Sequence, residues 1–150
     1  VKYVSTKTFG HEVGLSCCFR QWRATHSHCQ YLHGYALSVH LEFESERLDE
    51  RNWVVDFGDF HEVKEWLKRE FDHRMVVDRD DPQLLTFKHL ENRGLAKLTI
   101  MSGVGCEKFA SYIASYVQDW LHAKPSYRDR VVLTRVKVSE HGANSAEWRR

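Results

Sequence analysis

A cysteine stands four residues before a histidine in the segment Ser27-His28-Cys29-Gln30-Tyr31-Leu32-His33-Gly34-Tyr35, the strongest candidate for chemistry in this chain. A thiol acts as nucleophile or general base only as the thiolate, which demands partial exposure and a cationic or hydrogen-bonding neighbour. His28 and His33 lie close enough in sequence to supply one. With His26 they are also the candidate metal ligands beside the cysteine, since a catalytic zinc site takes about three protein ligands and an open position. A second pair, Asp72-His73, sets a carboxylate beside an imidazole, which fixes the tautomer and raises basicity for acid-base work. A histidine at that place also serves simply to cap helix carbonyls. Glu140 closes the apolar face of a strand, where an unpaired charge is costly to bury. Either the strand ends there in solvent, or Glu140 accepts from a planar ligand edge with two adjacent N–H donors, such as the amidine-like edge of a pterin or guanine. Glu107 falls in the first turn of a helix, where the helix dipole favours an acidic side chain.

The elements that must position these groups follow from periodicity. Tyr3 to Trp22 is rich in Thr, Val and aromatics and predicts a long first strand, with Gly10 and Gly14 as bulges or close approaches. After a polar loop, His33, Tyr35, Leu37, Val39, Leu41 and Phe43 alternate with Gly34, Ala36, Ser38, His40 and Glu42, the pattern of a half-buried strand. Trp53 to Phe57 reads as the returning arm of a hairpin. Asp59 with Glu62 three residues on forms a capping-box signature, and Phe60, Val63, Leu67 and Phe71 predict a helix over 60–71. An acidic connection to Pro82 is followed by a strand over Leu95 to Met101. Gly103 to Gly105 then steps into a helix whose stripe is Phe109, Tyr112, Ile113, Tyr116, Val117 and Trp120, closed by Pro125. Val132, Thr134, Val136, Val138 and Glu140 share one face of a last strand. Hairpin-paired strands with helices on one face define an α+β fold.

The length of 150 residues suits one domain spanning 1–150. At 42% hydrophobic residues the composition is that of a globular chain, and no apolar run approaches the ~20 residues of a membrane-spanning helix. Lys plus Arg number 22 against 21 Asp plus Glu, a formal charge of +1 that gives no general attraction for nucleic acid or an anionic membrane. A small-molecule ligand is therefore expected. Cys17 and Cys18 are adjacent and would point to opposite faces of a strand, so the four cysteines read as free thiols in a reducing cytoplasm.

Taken together, Cys29-Gln30-Tyr31-Leu32-His33-Gly34, Val55-Asp56-Phe57-Gly58-Asp59, Phe71-Asp72-His73-Arg74, Cys106-Glu107 and Val138-Ser139-Glu140 resemble, in collinear order, the 6-pyruvoyltetrahydropterin and 6-carboxytetrahydropterin synthase family. The resemblance implies the tunnelling fold: an antiparallel sheet with two helices packed on one face, assembled into oligomeric β-barrels as trimers or hexamers with active sites between subunits. It implies Cys29 as general base, Asp72 and His73 as an assisting pair from across the interface, and Glu107 and Glu140 as pterin contacts. It further implies a zinc ion that orients the side chain of 7,8-dihydroneopterin triphosphate.

The metal motif departs from the family's. The resemblance places the three zinc histidines at Phe19, His33 and Tyr35, so only His33 is kept. Either His28, His26 or Cys17 completes a rearranged site around His33, or the metal is absent. The resulting expectation is a carbon-oxygen lyase of the 6-carboxytetrahydropterin synthase branch, which feeds queuosine and other deazaguanines, with a degraded or rearranged zinc site. The alternatives are the 6-pyruvoyl branch and a zinc-free pterin-binding, aldolase-like or epimerase-like relative.

Overall fold

The computed structural model describes residues 1–150. Two successive strands, β1 (Tyr3–Phe9) and β2 (Leu15–Phe19), pair antiparallel with the same edge of the long β3 (His33–Ser45). β1 runs along Val39 to Ser45 and β2 along His33 to Leu37. The single strand expected over 3–22 is thus one line of pairing broken by a turn of 3-10 helix at His11–Val13. Gly14, at φ 77°, turns the chain back into register in the left-handed region that glycine enters without steric cost.

The other edge of β3 pairs with β6 (Val132–Ser139), which pairs in turn with β7 (Ser145–Arg149). A bulge sits opposite Glu42/Phe43, so Leu133, Val136 and Val138 are the buried residues of β6. Val132 and Thr134 were expected on that face; the extra residue rotates them off it. On the far side of β2 the sheet continues with β4 (Arg74–Asp78) and β5 (Leu98–Met101), and both of these pairings are parallel. The sheet is therefore mixed, where an antiparallel one was expected.

The inner face of β3 alternates as its sequence demands, with Leu37, Val39, Leu41 and Phe43 all wholly buried. Against it lie α1 (Phe60–Phe71) and α3 (Cys106–Ala123), whose apolar stripes interlock with ring centroids 5.2 Å apart for Phe43 and Phe60 and 5.4 Å for Phe71 and Phe109. A third helix, α2 (Leu84–Asn92), was not expected. Phe87 from it packs on Met75, Val77 and Leu98, a small separate core on the opposite face of β4 and β5 from Val76.

Two local expectations are overturned. Trp53 to Phe57 forms no strand: Asp49 folds the segment into a loop by accepting from the backbone N–H groups of Arg51 and Trp53, and Asp56 caps a 3-10 turn through Gly58 N at 2.8 Å. The Asp59 capping box does not form either. Asp59 already has helical dihedrals and accepts from the Tyr127 hydroxyl, while Glu62 accepts from Trp120 Nε1 and Lys124. Tertiary donors outcompete the local cap. No helix is long and apolar enough to cross a membrane.

Candidate active site

The 13 residues of β3 span about 40 Å, and the chemistry gathers at its His33 end. Cys29 lies in a 3-10 turn, His28–Gln30, whose start is capped by Ser27 Oγ accepting from Cys29 N at 3.1 Å. The loop that carries it is held from three sides. Arg20 forks onto buried Asp81 with Nε and Nη2 at 2.8 and 2.6 Å, Trp22 Nε1 donates to Asp78 at 2.9 Å, and Gln21 Nε2 donates to Val104 O at 2.8 Å. Gln21 N also donates to Cys29 O at 2.8 Å, so the cysteine is tied to the turn that opens α3. These tethers were not legible in sequence, because Arg20 and Asp81 are 61 positions apart.

At that turn Gly105 has φ 107°, and a Cβ there would meet Gln21 Nε2 at 2.5 Å. Glycine is thus required twice over. Cys106 follows, buried, and its thiol lies between two carboxylates: burial first, then the charges of Glu140 and Glu107, push it up to about 12. Glu140 does not trail into solvent. It is half-buried where β6 turns into β7, with its N–H donating to Asn144 O at 3.1 Å. Glu107 and Glu140, 33 positions apart by numbering, thus both lie near enough to act on one thiol at the N-terminus of α3, where the helix dipole favours negative charge.

Tyr35 borders the same place. Burial, then Glu140, Cys29 and Cys106, raise its phenol above the ordinary value, so these four side chains share one neighbourhood. On the inner face of the sheet the register pairs Phe19 with His33 and Cys17 with Tyr35. The three rings form a cluster with centroids 4.9 Å apart for Phe19 and His33, 5.6 Å for His33 and Tyr35, and 6.2 Å for Phe19 and Tyr35. Phe19 is fully buried and packs edge-on against Phe109 at 5.1 Å. Gly34, between His33 and Tyr35, has no room for a side chain, since a Cβ would stand 2.4 Å from Cys17 O.

The zinc fit can be tested on these contacts. His33 Nδ1 donates to Tyr31 O at 2.7 Å, leaving Nε2 as the ring's lone-pair nitrogen. The two neighbouring positions offer a phenyl ring and a phenol. His28 and His26 are exposed on the loop, and no three His, Cys, Asp or Glu side chains come together to hold a metal ion. His28 is exposed in the capped 3-10 turn, and no third ligand gathers with it and His33. The residues present do not fit a three-histidine zinc site.

Asp72 and His73 form the expected pair, His73 Nδ1 standing 2.6 Å from Asp72 Oδ1. His73 occupies the left-handed region at φ 55°, a strained conformation for this residue, held by its N–H donating to Ser16 O at 2.7 Å. Its side chain is 89% exposed and borders a groove of about 470 Å³ with Cys18, Gly34 and Ala36. No contact within the chain joins this pair to Cys29 or Glu140. A charged cleft of about 710 Å³ at the other end of β3 contains no cysteine or histidine, and its Arg135, Glu42 and neighbouring Glu147 are mutually paired.

The sequence profile of the 6-pyruvoyl tetrahydropterin synthase family matches residues 10–150. The chain belongs to that family. Solved structures agree on the fold. An uncharacterized protein from Wolinella succinogenes is similar at a TM-score of 0.80 and 20% identity, with 99% of this chain and 98% of that one covered. The 6-pyruvoyl tetrahydropterin synthase of Plasmodium vivax is similar at 0.69 and 14% identity, with 99% and 98% covered. That of Caenorhabditis elegans is similar at 0.62 and 16% identity, with 99% and 94% covered. No curated protein is detectably similar in sequence. The architecture is that of the tunnelling fold, a curled sheet backed by helices, and family membership makes this chain a relative of lyase-type pterin enzymes.

Proposed function

We propose that this protein is a carbon-oxygen lyase acting on 7,8-dihydroneopterin triphosphate, of the 6-carboxytetrahydropterin synthase branch that leads to queuosine. The observation that carries the reading is that Glu107 and Glu140 both lie near Cys106, and that Glu140, Cys106 and Cys29 lie near Tyr35. The two carboxylates accept from the amidine-like edge of the pterin, a charge-assisted recognition that orients the ring. Cys29 abstracts a proton from the substrate's side chain, and the electron pair left behind expels triphosphate with cleavage of a C–O bond.

The active site is completed between two chains of an oligomer. In one chain no hydrogen bond or ion pair joins the Asp72–His73 pair to Cys29; the imidazole is exposed with its Nδ1 held by Asp72, which leaves Nε2 free to serve a neighbouring subunit. No step is assigned to zinc, because Phe19 and Tyr35 supply none of the required nitrogens. Incubation of the purified protein with 7,8-dihydroneopterin triphosphate, with and without added zinc, is expected to release triphosphate. Release in neither condition refutes the lyase reading.

The ring cluster favours a second reading, a pterin-binding relative that kept the carboxylate pocket and lost the elimination. It predicts no triphosphate release and a pterin affinity that falls on Glu140→Gln and ignores chelator.

A further inference from the structure

Three rings stand where the family's metal histidines would be, and they are not equivalent. Phe19 is a core residue, fixed by Phe109 and without a polar atom. His33 has one ring nitrogen committed to Tyr31 O. Tyr35 alone has an uncommitted group that both donates and accepts: its ring is held by His33 and Phe19, while no hydrogen bond within the chain engages its hydroxyl. Glu140, Cys29 and Cys106 lie near enough for their charges to raise that phenol. A half-buried phenol O–H with a rigid ring and no internal partner is poised to pair with a ligand.

The neighbours indicate which part of the ligand. Glu107 and Glu140 take the amidine edge of a bound dihydropterin, so the ring's substituent at the opposite side lies towards Cys29. We propose that Tyr35 is the contact for that substituent, its phenol O–H donating to a side-chain hydroxyl oxygen of the bound dihydropterin. This inference rests on the pterin reading of the pocket. In this chain a neutral hydrogen-bond donor stands in the position from which a metal ion would polarise the side chain. It orients the side-chain oxygen without supplying a positive charge.

Titration of the full chain by fluorescence quenching, with 7,8-dihydroneopterin and with 7,8-dihydropterin, which lacks the side chain, separates the two ideas. Tyr35→Phe keeps the packed ring and removes only the hydroxyl. It is expected to weaken dihydroneopterin binding about tenfold, the effect of one lost hydrogen bond of about 1.4 kcal/mol, and to leave dihydropterin binding within twofold. Glu140→Gln is expected to weaken both ligands alike. Equal losses for the two ligands, or none, in Tyr35→Phe overturn the role of Tyr35 and leave the pocket assignment standing. Failure of the unmodified protein to bind either ligand overturns the pocket assignment itself, and the Tyr35 role with it. One zinc per chain in the unmodified protein that is lost in His33→Ala also overturns the inference, since a metal would then hold the place given to the phenol.

Discussion

The two ends of the proposed pocket are built differently. At the carboxylate end, the start of α3 and the β6–β7 turn bring an exposed Glu107 and a half-buried Glu140 near the buried thiol of Cys106. At the ring end, β2 and β3 bring Phe19, His33 and Tyr35 together on adjacent strands, and two of the three are not imidazoles. On the proposed reading, a recognition site for a flat, hydrogen-bonding edge persists beside a ring cluster in which Phe19 and Tyr35 offer no imidazole nitrogen. Cross-strand pairing brings the same positions together whatever side chains they carry, because backbone register and not metal affinity holds them there.

The sharpest way to separate the ends is to remove Cys29, the proposed base. Cys29→Ala is expected to lower turnover about 10³-fold, within the range for loss of a general base, while pterin affinity changes little. A matching fall in affinity, measured by the same fluorescence titration, would place Cys29 in recognition instead. Next in size is the tether of the Cys29 loop. Asp81→Ala strips the partner from the partly buried Arg20 guanidinium and is expected to cost about 3 kcal/mol in urea unfolding. A loss below about 1 kcal/mol would mean the loop is held by Trp22 and Gln21 alone.

Gly34→Ala tests the ring end directly. The added Cβ would press on Cys17 O, so β2 and β3 must separate, and a cost of about 2 kcal/mol with disturbed Tyr35 contacts is expected. Unchanged thermal stability would show that the strand pair yields easily there.

The most gradual effect is in alkaline solution. Burial raises the Cys17 and Cys106 thiols from 9.0 to about 12, so between these values the unfolded chain loses protons that the folded chain keeps. Stability therefore holds below pH 9 and falls as pH rises towards 12, by at most about 1.4 kcal/mol per pH unit per thiol. Cys106→Ala should flatten this slope in unfolding curves taken at pH 9 to 11. An unaltered slope would assign the loss to the phenols, of which Tyr127 is likewise pushed up to about 12 by burial and by Asp59.

Much of the frame was legible from local patterns. β3, α1 and α3 follow from alternation and helical stripes, since each buries one face against the other two. β4, α2 and β7 were not. Arg74 to Asp78 has only three consecutive apolar residues, buried on both faces of the sheet, and the short α2 packs one phenylalanine on that second face. Ser145 to Arg149 is polar on most positions and becomes a strand only because β6 offers an open edge.

By itself the sequence determined the α+β class, the helices that back the sheet, the candidate residues Cys29, Asp72, His73, Glu107 and Glu140, and the departure at Phe19 and Tyr35 from a three-histidine pattern. The class, the helices and the candidates follow from residue type and spacing, which are local, and the departure at Phe19 and Tyr35 from the family resemblance. Only the tertiary structure decided which candidates meet. It joined Glu107 to Glu140 through Cys106, turned His73 outward in a left-handed conformation, left His28 in solvent, and closed Phe19, His33 and Tyr35 into one cluster. The physical reason is that each of these encounters depends on strand register or on long-range tethers such as Arg20 to Asp81, and neither leaves a periodic mark in the chain.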